Sequence, residues 1–215
     1  MADKEILIFV EGPSDKVFLE VYLYFLEDFP IKNFKVKDIK GKDNLSKRLL
    51  EIEKYDKTLI IFDANKDYES NKREILTVVS KTKQTISEEQ IFLFPNNQDD
   101  GDLETLLLEI AKHDEFLKCF EGYLECIKSK EYYKLIKNIR KNMLYAYLEA
   151  LGLENLTKTN IDVFDSKGKI KSKYEENYKK LTEEVIDFSS NSLIPLKNFL
   201  GQFAENKQKT NPKIF

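Results

Sequence analysis

Three short apolar runs constrain this chain most: Ile6 to Val10 (ILIFV), Thr58 to Phe62 (TLIIF) and Ile91 to Phe94 (IFLF). A strand with one wet face alternates apolar and polar residues. A continuous run of strand length suits a strand covered on both faces, as in a parallel sheet between helices. Phe34 to Ile39 alternates and reads as a further strand. Between these lie stretches with helical spacing: from a cap at Ser14 or Asp15 to about Glu27, Asn44 to Tyr55, Ser70 to Val79, and Leu103 to Ala111 behind an Asp102 cap. Strand and helix thus alternate four times. That pattern predicts an α/β fold, with a mainly parallel four-stranded sheet flanked by helices.

The remainder reads differently. Glu115 to Leu151 and Lys169 to Ile186 have helical character, and Ile161 to Phe164 could form a short strand. Leu193, Ile194, Leu196, Phe199, Leu200 and Phe203 make an apolar stripe at helical spacing, which predicts a helix docked on the core. Residues 1–112 therefore form the expected α/β domain. Residues 113–203 form a mostly helical C-terminal elaboration packed on it, and 204–215 a flexible tail.

Composition narrows the function classes. Hydrophobic residues make up 41% of 215, enough for a real core, and 7 Gly with 5 Pro exclude collagen-like and Gly/Pro-rich chains. A net charge of −3 excludes a globally basic nucleic-acid binder but not a local basic face. The charge is uneven: 16 Lys/Arg face 23 Asp/Glu up to Ile110, and 19 face 15 beyond it. Cys119 and Cys126 are too few for a disulfide framework and read as two buried thiols on one helix face. His113 is the single histidine, which argues against His-based metal sites and nucleophiles. The opening MADKEILIFVEG resembles neither a signal peptide nor a membrane span, so a soluble, cytoplasmic protein without membrane contact is expected.

The residues immediately after each apolar run point to chemistry. The first run ends in Glu11-Gly12-Pro13-Ser14-Asp15, the second in Asp63-Ala64-Asn65-Lys66-Asp67, and the third in the loop from Asn96 to Glu104. In a parallel sheet such loops share the edge where ligands gather. Carboxylates crowded there repel and raise one another's pKa, a penalty that a divalent cation removes. Hard oxygen ligands suit Mg²⁺ or Mn²⁺. Asp15, Asp99, Asp100 and Asp102 also have plain roles as helix caps or solvated loop acids.

Glu11-Gly12-x-x-Asp15 after one apolar strand and Asp63-x-Asn65 after another resemble the Toprim domain of topoisomerases, primases, recombination proteins and overcoming-lysogenization-defect nucleases. Phe94-Pro95-Asn96-Asn97, Gly101-Asp102-Leu103-Glu104 and Asp187-Phe188-Ser189-Ser190 look like a stand-alone prokaryotic Toprim-like family. The resemblance implies metal-assisted phosphoryl transfer, with Glu11 as general acid or base and Asp63 and Asn65 at the metal. Asn65 departs from the family's second aspartate. Asp67 could restore that charge, and Glu104 could complete a two-metal site. A separate ATPase partner is also implied, since no P-loop is present here.

Two basic runs complete the reading. Lys128, Lys130, Lys134, Lys137, Arg140 and Lys141 interleave with Tyr132 and Tyr133, and Lys167, Lys169, Lys171 and Lys173 come later. Such residues neutralise phosphates while exposed rings stack on unpaired bases. Lys16, Lys42 and Lys66 lie near the acidic loops and could contact a scissile phosphate. The expected function is Mg²⁺- or Mn²⁺-dependent phosphoryl transfer, foremost a nuclease on DNA or RNA. The alternative is a catalytically inactive module that binds nucleic acid or protein alongside the ATPase.

Overall fold

A computed structural model describes residues 6–26, 34–134, 136–157, 163–165 and 169–203. Four strands, β1 (Ile6–Val10), β2 (Phe34–Asp38), β3 (Lys57–Asp63) and β4 (Ile91–Phe94), form one sheet in the order β2-β1-β3-β4. Every pairing is parallel, with Val10 opposite Asp38 on one side and Ile61 on the other, and Asp63 opposite Phe94. The α/β class expected from the apolar runs is the one observed. Every residue of β1 and β4 is buried.

Alternation along the strands divides the core into two faces. Ile8, Val10, Leu59, Ile61, Phe92 and Phe94 pack on one side, against α1 (Pro13–Phe25). Leu7, Phe9, Ile60, Phe62 and Leu93 pack on the other, against a 3₁₀ helix (Lys42–Arg48), α2 (Leu49–Ile52) and α3 (Tyr68–Val79). The first face is also covered by α4 (Leu103–Glu109) and by the C-terminal region. That region contains α5 (Asp114–Lys128), α6 (Ile139–Ala150), α7 (Ser172–Lys180) and α8 (Ile194–Gly201). Leu196, Phe199 and Leu200 of α8 are buried, so the terminal apolar stripe docks as its spacing requires. An antiparallel bridge between Ala111 and Ile186 ties the end of the α/β half to the C-terminal half.

Several local expectations are corrected. The helix from Asn44 to Tyr55 is a 3₁₀ stretch followed by one α-turn. Asn44 donates its side-chain amide to the Lys40 carbonyl, and such local bonds compete with regular helix. The stretch from Glu115 to Leu151 is two helices, not one. Asn138 stands in the left-handed region at φ 53° and sets the start of α6. Gly12, not Ser14 or Asp15, is the N-cap residue of α1, with Pro13 at its first position. Cys119 and Cys126 are exposed rather than buried. Helix α5 has no buried residue, so the thiols face solvent beside a half-covered apolar stripe. Phe164 makes an isolated bridge with Ile170. Ile161 and Asp162, with the tail from Ala204, lie outside the described residues. Among those described, no helix is long and apolar enough to cross a membrane.

Candidate active site

The C-terminal ends of β1 and β3 carry Glu11 and Asp63 side by side at one edge of the sheet. Their neighbours differ because successive side chains along a strand point to opposite faces. Asp63 Oδ1 accepts the Leu103 N–H at 3.0 Å, on the α1/α4 side. Glu11 feels Lys42 and Asp43, on the side of the 3₁₀ helix.

Asp15 enters from α1. Its Oδ2 accepts the Gly12 N–H at 2.7 Å, which closes the first turn and keeps the carboxyl inside, 8% exposed. Burial, opposed by that N–H and helped by the charges of Glu104 and Glu11, raises its pKa. Burial also raises Asp63, and Asp15, Glu11 and Glu104 push it the same way. Glu104, in the first turn of α4, is raised by burial and Asp102 and pulled down by Lys141 and Arg140. Glu11 is raised by burial against the backbone amides of Asp63 and Lys42 and the Lys42 charge. Four carboxyl groups from four separate segments thus form one interacting set.

Beside that set opens a cleft lined by Asp63, Asn65 and Glu104 on one wall and by Arg140 and Lys141 on the other. Asn65 adopts φ 56°, and its N–H bonds to the Gly101 carbonyl at 2.6 Å, which turns the β3–α3 loop toward the cleft. Arg140 lies 3.6 Å from Asp102, and Lys141 sits over the Tyr145 ring. The tail of the basic run therefore faces the acids. The rest spreads outward: Lys130, Lys134 and Lys137 are exposed, and Lys128 pairs with Glu125. Tyr132 and Tyr133 are 77% and 51% exposed and meet edge to face.

Other candidates sit apart from the carboxyl set or are engaged elsewhere. Asp67 caps α3, accepting the Ser70 N–H at 2.9 Å. Asp102 caps α4 through Thr105, Asp99 accepts from Asn96, and Asp100 accepts the Tyr68 N–H. Lys42 donates to Asn71 and Glu74, Lys16 pairs with Glu20, and Lys66 is exposed. Lys169 and Lys171 come after the later loop, Lys173 covers Tyr174, and Lys167 is outside the described residues. His113 bonds the buried Tyr147 hydroxyl, a structural contact.

Sequence reasoning missed Asn71. This buried amide donates to the carbonyls of Ala64 and Asp67, holding the loop that presents Asp63 and Asn65. Its spacing of four from Asp67 on an amphipathic helix was the available signal.

The donor set matches a hard divalent cation in kind: carboxylate oxygens, one amide oxygen and mutual repulsion that a cation relieves. Glu11 Oε2 is buried without a hydrogen-bond partner, an acceptor left for an ion or a proton. Among the described residues, no group of three or more His, Cys, Asp or Glu side chains is set to hold a metal ion. The pleat explains this, since Glu11 and Asp63 reach the edge from opposite faces. Mg²⁺ commonly takes one or two protein carboxylates and completes its shell with water and substrate phosphate, so the set fits a partly protein-held ion rather than a closed cage.

A family model described as DUF3226, protein of unknown function, matches residues 5–205. No curated protein and no solved structure matches the chain.

Proposed function

We propose that this chain, which belongs to the DUF3226 family of proteins of unknown function, hydrolyses phosphodiester bonds in nucleic acid with the help of a divalent metal ion. One observation carries the reading: Asp63 and Glu104 share a cleft with Arg140 and Lys141. An acidic wall alone suits many cations, and a basic wall alone suits any polyanion. Together they suit a phosphate that meets its charge-neutralising partners from both sides.

The chain's own groups divide the work. Arg140 and Lys141 hold the backbone phosphates and orient the strand. Asp63, Asn65 and Glu104 are the oxygen donors that the cleft offers to Mg²⁺ or Mn²⁺, with the free Oε2 of Glu11 a further acceptor from the other face of the same edge. Such an ion, when bound, supplies Lewis-acid polarisation of the phosphate and a more acidic water. Glu11, raised by burial, holds a proton nearer neutral pH than an exposed glutamate and can pass it to the leaving oxygen or take one from water. The products are an alcohol and a phosphomonoester, with water as the only co-reactant. The Toprim resemblance of Glu11-Gly12-x-x-Asp15 and Asp63-x-Asn65 supports the same assignment, and a cytoplasmic site of action suits the substrate.

A second reading is favoured by Asn65, which brings a neutral amide where the Toprim pattern has a carboxylate. The same scaffold would then serve as a binding module beside a separate ATPase. Cleavage of single- and double-stranded DNA and RNA with Mg²⁺ or Mn²⁺ separates the two. Wild type should cut, and Glu11→Gln and Asp63→Ala should not. Equal behaviour of all three removes the hydrolase.

A further inference from the structure

The connection between α5 and α6 carries two tyrosines that the fold leaves in water. Tyr132 is 77% exposed and Tyr133 51%. Their ring centroids lie 4.6 Å apart with planes at 63°, so the rings brace each other edge to face. The Tyr133 N–H bonds to the Lys130 carbonyl at 3.3 Å, a turn that holds the pair at the surface. A few residues later the same connection becomes a wall of the charged cleft, where Ile136, Asn138 and Ile139 precede Arg140 and Lys141. Three residues separate Tyr133 from Ile136. That length of chain reaches at most about 11 Å, roughly three stacked nucleotides at about 3.4 Å each.

Charge selects among partners for this surface. From Ser129 to Lys141 the bases are Lys130, Lys134, Lys137, Arg140 and Lys141, and Glu131 is the single acid. Lys130, Lys134 and Lys137 are exposed and meet no carboxylate among the described residues. An acidic peptide would satisfy the lysines but offer the two rings nothing to stack on. A duplex would also satisfy the lysines, yet it keeps the faces of its bases inside its own stack. A single strand brings phosphates for the cations and open base faces for the rings together.

We propose that Tyr132 and Tyr133 are a stacking platform for unpaired bases, and that the strand held there continues into the cleft of Asp63, Glu104, Arg140 and Lys141. The inference rests on the proposed nucleic-acid function and names its substrate class, single-stranded nucleic acid. Lys130, Lys134 and Lys137 line the strand's path as phosphate contacts, and the tyrosines distinguish a single strand from a duplex.

The test reads binding without turnover. Anisotropy of a fluorescein-labelled oligothymidylate is measured in EDTA, against the same backbone carrying abasic residues. The intact strand should bind about tenfold tighter. Replacing Tyr132 and Tyr133 together by alanine should abolish that ratio and leave binding of the abasic strand, and of a duplex of equal length, unchanged. Replacing both by phenylalanine, which keeps the rings, should preserve the ratio. Both positions are exposed, and thermal melting checks that the variants fold. Equal affinity of wild type for intact and abasic strands overturns the platform, as does a ratio that survives the alanine pair or is lost in the phenylalanine pair. A polyglutamate peptide that binds tighter than the intact strand would assign the surface to an acidic protein and overturn it too. Failure to bind any strand would remove the nucleic-acid reading itself, and the platform with it. Because EDTA removes divalent metal, loss of the platform is distinguishable from loss of the hydrolase.

Discussion

Asp63 and Leu103 are forty positions apart in the chain, yet the carboxylate of one accepts the backbone N–H of the other at 3.0 Å. The bond fastens the end of β3 to the first turn of α4. It thereby fixes where Glu104 stands relative to Asp63, and it keeps Asp63 half-buried among three other acids. That crowding, and the loops that maintain it, have measurable consequences.

Asp63 has a folded-state pKa raised above the 3.8 of an ordinary aspartate, chiefly by burial. The native state therefore holds a proton that the unfolded state gives up. Its stabilising effect is complete below 3.8 and is lost as pH rises through the folded value. Asp63→Asn keeps an oxygen acceptor for Leu103 but cannot ionise. Urea denaturation should find the variant more stable than wild type at pH 8 by at least about 1.4 kcal/mol, one pKa unit. The difference should shrink toward pH 4. A variant less stable at pH 8 would show that the acid is not under strain.

A divalent cation should relieve the same repulsion. Mg²⁺ at ten times its dissociation constant should stabilise wild type by about 1.4 kcal/mol, or roughly 3 °C in melting temperature. The gain should be absent in Asp63→Asn. An unchanged wild-type melting curve in millimolar Mg²⁺ and Mn²⁺ would argue against a metal at this edge.

Arg140 and Lys141 are expected to touch phosphates rather than bases. Replacing both with alanine should weaken single-strand binding irrespective of sequence. It should also reduce the slope of log affinity against log salt by about 1.4, the share of two contacts. A salt slope equal to that of wild type would place the strand elsewhere.

Asn71→Ala removes the donors to the Ala64 and Asp67 carbonyls. The buried Ala64 carbonyl is left unmet, at a cost of about 1–3 kcal/mol, whereas the Asp67 carbonyl keeps the backbone N–H of residue 71. Hydrogen exchange should quicken in residues 64–71 before it does in β1. Uniform quickening across the sheet would mean that Asn71 serves the fold rather than the loop.

Gly101 stands at φ +150°, and a Cβ there would come within 2.9 Å of Pro95 Cδ and 3.0 Å of Thr105 Oγ1. Gly101→Ala should destabilise by about 1–3 kcal/mol. It should also disturb Asn65, whose N–H bonds to the Gly101 carbonyl. A neutral effect on denaturation would show that the loop yields freely.

Much of the sheet is legible from residues alone. ILIFV, TLIIF and IFLF have no polar face to offer water, so they become strands buried on both sides. The acids after them then lie at the strand ends. The stretch from Asn44 is less legible, because its apolar spacing does not register the side-chain bond from Asn44 to Lys40. The cysteines read as core because thiols are usually buried, yet α5 is covered by too little of the chain to enclose them.

The sequence by itself determined the strands, their parallel habit and the meeting of Glu11 and Asp63 at one edge, because burial and chain connectivity are written in local patterns. Only tertiary structure decided that Arg140 and Lys141 close over that edge. It also decided that Asp67 caps a helix instead. Those outcomes depend on how helices from distant parts of the chain pack across the sheet. That packing is set by the summed shape of many side chains and not by the spacing of any few.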